Sequence, residues 1–340
     1  MYIKEHVPLC EYTTFKVGGP ADFFVSVNTV EELRKALAWA HTKNLPYFIL
    51  GGGSNILFPD DGYRGLVVHM QLKGICFEEQ GERILLKASA GEIWDVLVAE
   101  TVTRGLWGLE NLSLIPGSVG ATPVQNVGAY GVEVSNVIKQ VEVFDVSSES
   151  ITSLSNEECL FAYRNSLFKT DLGRKYIITS VTYELSKKAR PQLAYKDLQK
   201  RFGHYKNIPT IDEVRSAIIA IRQGKFPDLN RYGTAGSFFH SPIISKEAYD
   251  DLRISFPDLP SFSMDGGYVK IVLSWFLDKI LNLKGVRRSN VGTHDKHALV
   301  IVNYGGAHSS DIKAFANYVS EKVFDATGIV IVPEVKIVEN

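Results

Sequence analysis

Residues 111–131, NLSLIPGSVGATPVQNVGAYG, contain no charged side chain. They are also too polar and too rich in glycine and proline for a core helix or a membrane span. The glycines, Gly117, Gly120, Gly128 and Gly131, permit close backbone approach and present main-chain N–H groups in place of side-chain charge. Such a segment suits an anionic, extended ligand such as a dinucleotide. A second neutral loop, Gly51-Gly52-Gly53-Ser54-Asn55, follows the apolar run 47–50. Alone, a triple glycine is read as a tight turn. It matches neither a Gly-x-Gly-x-x-Gly fingerprint nor a Walker loop. Beside residues 115–131 it becomes the second wall of one cofactor cleft.

The chain has 340 residues, and two or three domains follow from that length. A formal net charge of −1 gives no electrostatic footprint for nucleic acid or an anionic membrane surface. Cys10, Cys76 and Cys159 are scattered and odd in number, which argues for reduced thiols. The N-terminal residues have no apolar signal-peptide region, so the cytoplasm is expected.

Periodicity predicts helices over 28–42, 92–103, 269–280 and 311–325, the last with Ser310 as N-cap. Strands are expected over 47–50, 65–70, 84–89, 137–146, 176–185 and 298–303. Thr210 and Glu213 form a capping box for a further helix, and 191–207 reads as a linker. Residues 328–338 read as a strand interrupted by Pro333, which implies an edge or bulge.

Three side chains invite chemistry. Arg164 lies among aromatic and apolar neighbours in FAYRNSLFK. A snorkelling surface arginine is the commoner fate, but the guanidinium fork also suits a carboxylate or an oxyanion. Ser237 sits in GTAGSFFHSP without a nucleophile elbow, so a hydrolase is unsupported. Glu334 follows Pro333 in an apolar strand; burial would raise its pKa and make it a neutral donor, whereas a strand-end position would leave it in water. His294 and His297 read as a surface turn, and no metal site is assigned.

Taken together, TTFKVGGPA (13–21), LGGGSN (50–55), IPGSVGATPVQNVGAYG (115–131), YRNS (163–166), GSFFHSP (236–242) and PEV (333–335) occur in an order and spacing that resemble the UDP-N-acetylenolpyruvoylglucosamine reductases almost end to end. The resemblance implies an α+β flavoenzyme of the vanillyl-alcohol-oxidase FAD-binding type. Residues 1–70, joined by the C-terminal strand 331–340, and residues 71–210 would sandwich FAD. Residues 211–330 would form the substrate domain. It further implies that FAD is held by Gly51, Gly52, Gly53, Ser54, Asn55, Pro116, Gly117, Gly120, Ala121, Gln125, Asn126, Gly128, Ala129, Tyr130 and Gly131. NADPH would reduce the flavin, and hydride would pass from flavin N5 to C3 of the enolpyruvyl sugar nucleotide, giving UDP-N-acetylmuramate for peptidoglycan synthesis. Arg164 and Glu334 would stabilise the enolate, and Ser237 would protonate C2. Tyr195, Lys225 and Ser241 would contact substrate, with Tyr195 on the extra tyrosine loop of one subtype. A monomer is expected.

The chain departs from the family pattern at Lys16, at His240-Ser241 and at His297. A flavin oxidase acting on an alcohol is the rival enzyme reading, and a non-catalytic nucleotide-binding protein the rival outside catalysis. Neither requires the set Arg164, Ser237, Glu334.

Overall fold

The computed structural model describes residues 1–340. The chain forms two compact units: Met1–Val7, Ala21–Gly52 and Arg64–Arg222 make the first, and Pro8–Pro20, Gly53–Tyr63 and Gln223–Asn340 the second. The helices are α1 (Val30–Thr42), α2 (Trp94–Thr103), α3 (Lys196–Phe202), α4 (Ile211–Lys225), α5 (Lys246–Ser255), α6 (Leu273–Lys279) and α7 (Ser309–Thr327).

In the first unit, a four-stranded sheet runs in the order Lys4–Pro8, Pro20–Val27, Tyr63–Met70, Tyr47–Leu50. Its last pair is parallel, with Tyr47 opposite Leu66 and Leu50 opposite His69. α1 buries Leu33, Ala36, Leu37 and Ala40, the stripe expected of an amphipathic helix. It begins where Thr29 Oγ1 accepts the Glu32 N–H at 3.1 Å. A five-stranded antiparallel sheet follows, ordered Ser150–Ser155, Ile138–Asp145, Tyr176–Ser186, Arg83–Ser89, Ile75–Gln80. Its apolar face meets α2 through Trp94, Leu97 and Val98, in one cluster that also takes in Val25, Leu33 and Leu66. The glycine loops therefore rest on a continuous core.

Residues 191–207 are not a linker. α3 inserts Leu198 and Phe202 into a cluster with Trp107, Tyr130, Ile211, Val214 and Ile218. That apolar anchor is too short to show as periodicity. α4 opens as expected: the Thr210 N–H meets Glu213 Oε2 at 2.8 Å and the Glu213 N–H meets Thr210 Oγ1 at 3.2 Å. It packs into the first unit, and the chain changes unit after Arg222, beyond the boundary at 210 read from the sequence.

The second unit holds two three-stranded antiparallel sheets. One is ordered Ile243–Ser245, Tyr268–Ile271, Ser261–Met264, the other Arg287–Arg288, Val291–His294, His297–Asn303. The helix expected over 269–280 is divided: Tyr268–Ile271 is the middle strand of the first sheet, and α6 starts only at Leu273. The β-branched Val269, Ile271 and Val272 favour the pleated surface once partners are present. α7 buries Ile312, Phe315, Ala316, Val319 and Val323. Ser310 is not its N-cap. That place belongs to His308, while the Asp60 carboxylate accepts the Ser309 and Ser310 N–H groups at 2.6 and 2.9 Å. Residues 328–338 are less regular than a single strand. Gly328 ends α7 in the left-handed region at φ +69°, Pro333 bridges Phe239, and Lys336–Ile337 pairs in parallel with Ile56–Leu57. No helix is long and apolar enough to cross a membrane.

Candidate active site

In the first unit the strand Tyr47–Leu50 delivers Gly51 and Gly52 against the second glycine segment. A Cβ on Gly52 would lie 2.8 Å from Gly117 Cα, and one on Gly51 would strike Ser118 Oγ. A Cβ on Gly120 would lie 2.6 Å from Ala90 Cβ. Only glycine lets these backbones meet. The segment is tied down by the Trp94 N–H to Gly117 O (3.1 Å), the Val119 N–H to Glu92 O (2.9 Å) and the Gly120 N–H to Ala90 O (2.9 Å). Gly128–Ala129 and Val132–Glu133 then form a hairpin, with Tyr130 at φ +52° and Gly131 at φ +84°. Two consecutive positive φ values define the tight turn matched to strand twist. Asn126 is spent on structure: its amide group donates to Glu133 Oε2 (2.7 Å) and Ala162 O (3.1 Å) and accepts from the Ser135 N–H (3.1 Å). Its side chain thus holds the loop in shape.

Arg164 is docked on this hairpin. Residues 162–165 close a turn through reciprocal Ala162–Asn165 hydrogen bonds of 3.0 and 3.1 Å. Arg164 adopts φ +52°, and its Nη2 donates to Gly128 O at 2.7 Å. The exposed Tyr195 immediately precedes α3, and its ring meets Tyr130 edge-on at 5.1 Å. Asn111 fastens both parts, its Nδ2 donating to Tyr130 O (3.0 Å) and Gln192 O (2.8 Å). Two further arginines, missed in the sequence reading, clamp α4 to the same segment. Arg215 grips Asp95 through both carboxylate oxygens at 2.8 and 3.1 Å, and Asp95 accepts the Leu114 N–H at 2.5 Å. Arg222 Nε donates to Leu114 O at 3.1 Å, and burial pushes its pKa down.

In the second unit, residues 237–240 run between two neighbours. On one side Ser237 bridges Val300 and the Phe238 N–H donates to Leu299 O at 2.8 Å. On the other, the His240 N–H reaches Val332 O at 3.0 Å and the Glu334 N–H reaches Phe238 O at 2.8 Å. Ser237 and Glu334 thus stand on neighbouring segments, fixed by the buried Phe238 and Phe239. Both are half-buried, as is Ser241. Asn55 Nδ2 donates to Glu334 O at 3.1 Å, so the first glycine loop ends against the glutamate. His294 and His297 flank the exposed turn Asp295-Lys296 and face inward from it. His294 is buried at 8% exposure, and His297 stacks obliquely on Phe226 at 5.6 Å. Burial, with Lys225 and His294 adding to it, pushes His297 down to about 4.

The residues fit a flavin dinucleotide. Gly51, Gly52 and residues 117–131 of the first unit make a neutral wall of backbone, and in that unit the buried Asn111 Oδ1 has no hydrogen-bond partner. In the second unit, taken by itself, the buried Thr14 Oγ1 is likewise without one, and the Thr14 N–H is bonded to Gly53 O at 3.0 Å. Such groups are ready for a polar, uncharged-wall ligand contact.

This architecture defines an FAD-dependent oxidoreductase, and the comparisons agree. Residues 21–155 match the FAD binding domain, and residues 228–338 match the C-terminal domain of UDP-N-acetylenolpyruvoylglucosamine reductase. The chain is 41% identical over 325 residues to the UDP-N-acetylenolpyruvoylglucosamine reductase of Neisseria meningitidis serogroup B, covering 95% of this chain and 93% of the relative. It is 37% identical over 342 residues to that of Flavobacterium johnsoniae, covering 99% and 100%. The crystal structure of the Thermus caldophilus UDP-N-acetylenolpyruvylglucosamine reductase superposes with a TM-score of 0.70 at 26% identity, covering 99% of this chain and 100% of that one. The chain belongs to the UDP-N-acetylenolpyruvoylglucosamine reductase family.

Proposed function

We propose that the protein reduces the enolpyruvyl group of UDP-N-acetylglucosamine enolpyruvate to UDP-N-acetylmuramate, a step of peptidoglycan precursor synthesis, with NADPH as electron donor. The observation that carries this reading is the ladder joining residues 237–240 to 332–334, because it supports a hydroxyl and a carboxyl serving one reacting group. FAD, held by the two glycine loops, would supply the hydride chemistry between NADPH and the vinyl carbon.

The protein's own task is to make that addition tolerable. Charge develops at C2 and in the adjoining carboxylate, so donors must be in place beforehand. Arg164 offers its guanidinium to the substrate carboxylate, oriented by its 2.7 Å hydrogen bond to Gly128 O. Glu334, as the acid, donates a hydrogen bond to the enolate, since an ionised carboxylate there would repel it. Ser237 Oγ gives its proton to C2. Preorganised donors of this kind contribute roughly 3–4 kcal/mol each to transition-state stabilisation. Tyr195, Lys225 and Ser241 bind the sugar nucleotide, Tyr195 resting on Tyr130 and Lys225 beside a neutral His297.

The test is direct. NADPH should bleach the flavin spectrum, and the enolpyruvyl sugar nucleotide should restore it. Bleaching by an alcohol in place of NADPH, with no recolouring by the enolpyruvyl sugar nucleotide, would favour a flavin oxidase. Ser237→Ala should leave bleaching nearly intact and slow recolouring by on the order of a hundred- to ten-thousand-fold; equal loss in both halves contradicts a proton donor. Glu334→Gln should be milder than Glu334→Ala, because the amide still donates, and the reverse order removes the acid role.

A further inference from the structure

His240 Nδ1 lies 3.7 Å from Glu334 Oε2, with the two side chains 25% and 13% exposed. The contact follows from register. The His240 N–H to Val332 O and Glu334 N–H to Phe238 O bonds (3.0 and 2.8 Å) flank the bridge between Phe239 and Pro333. Around this antiparallel bridge 240 stands opposite 332 and 238 opposite 334, with His240 and Glu334 as diagonal neighbours. Both main chains are pinned. Phe238 behind them is fully buried, Pro333 restricts the approach to Glu334, and Asn55 Nδ2 holds Glu334 O at 3.1 Å. The imidazole and the carboxyl stand less than 1 Å beyond hydrogen-bond distance.

We propose that His240 is the positioning residue of Glu334. The imidazole engages Oε2 and thereby turns the other carboxyl oxygen toward the reacting carbon. The inference rests on the role given to Glu334 above, and it adds a residue for which sequence reading noted only a departure from the family pattern. A half-exposed strand histidine with no such duty would tolerate replacement by any side chain of similar bulk.

The two half-reactions separate these cases. In His240→Leu, reduction by NADPH should stay within about twofold of the native rate, while reoxidation by the enolpyruvyl sugar nucleotide slows about tenfold, within the coupling range of contacting pairs. His240→Asn should recover most of that loss, because its amide nitrogen sits near the position of Nδ1. In the Glu334→Gln background, His240→Leu should cost less than about threefold, since a residue acting through another loses its effect when that other is changed. A native flavin spectrum checks folding of each variant. Equal slowing of both halves, an Asn variant as slow as Leu, or the full tenfold loss persisting beside Glu334→Gln would each overturn the assignment. If Glu334→Gln reoxidises at the native rate, the role of Glu334 falls and that of His240 with it. If the native enzyme bleaches and never recolours with this substrate, the proposed reaction itself is wrong.

Discussion

Arg164 occupies the left-handed backbone region at φ +52°, a conformation that costs a side chain with Cβ roughly 1–2 kcal/mol. Strain of this kind persists where the surroundings over-determine it, and here the turn hydrogen bonds and the 2.7 Å bond to Gly128 O do so. No periodicity reveals such a conformation. The guanidinium was legible only through its motif. His297 is the opposite case: its sequence neighbours read as a surface turn, and burial beside Lys225 overrides that. Its folded pKa is lowered from the usual 6.5 to about 4, so the neutral form belongs to the fold. The sign follows: stability is fully present above about pH 6.5 and is lost as pH falls toward 4, by up to about 3 kcal/mol. Thermal melts of the native chain should therefore drop over that window, and those of His297→Gln should drop less. Parallel curves would show that His297 titrates alike in both states.

Local signals located elements best where the chemistry is local. The box of Thr210 and Glu213, the stripe of α1 and the apolar run before Gly51 all act within a few residues, and all three appear as read. α3 and the strand Tyr268–Ile271 escaped because each depends on a partner outside its own window: Trp107 and Tyr130 for one, Ile243–Ser245 for the other. The cradle itself was visible as glycines, but not the reason for each. Gly52 is required because Gly117 Cα stands 2.8 Å from where its Cβ would be. Gly52→Ala should therefore part the two loops, destabilise the fold by about 1–3 kcal/mol and lower the flavin-to-protein absorbance ratio after purification. Gly224, in α4 with nothing within 4 Å of an added Cβ, is the control. Gly224→Ala should be neutral or stabilising by up to about 1 kcal/mol. Equal behaviour of the two would refute the steric argument.

The route of the chain was not legible at all. It enters and leaves the second unit twice before residue 64 and settles there only after Arg222. Hydrophobic pattern reports burial, not address, so Phe15, Val17 and Leu57 gave no sign that they share a cluster with Phe238, Phe315 and Val335. A fragment spanning 223–340 should accordingly stay unfolded by circular dichroism and near-ultraviolet signal, having lost those three large side chains and the strand Ile56–Leu57. Adding a peptide covering 8–63 should restore structure; a fragment that folds unaided would contradict the shared core.

Lys336–Ile337 lies beside Ile56–Leu57, and the Asn340 amide reaches Asp61 Oδ2 and Gly62 O at 3.2 Å each. This pairing closes a long loop of chain, so assembly of the second unit carries the slow search that contacts distant in sequence impose.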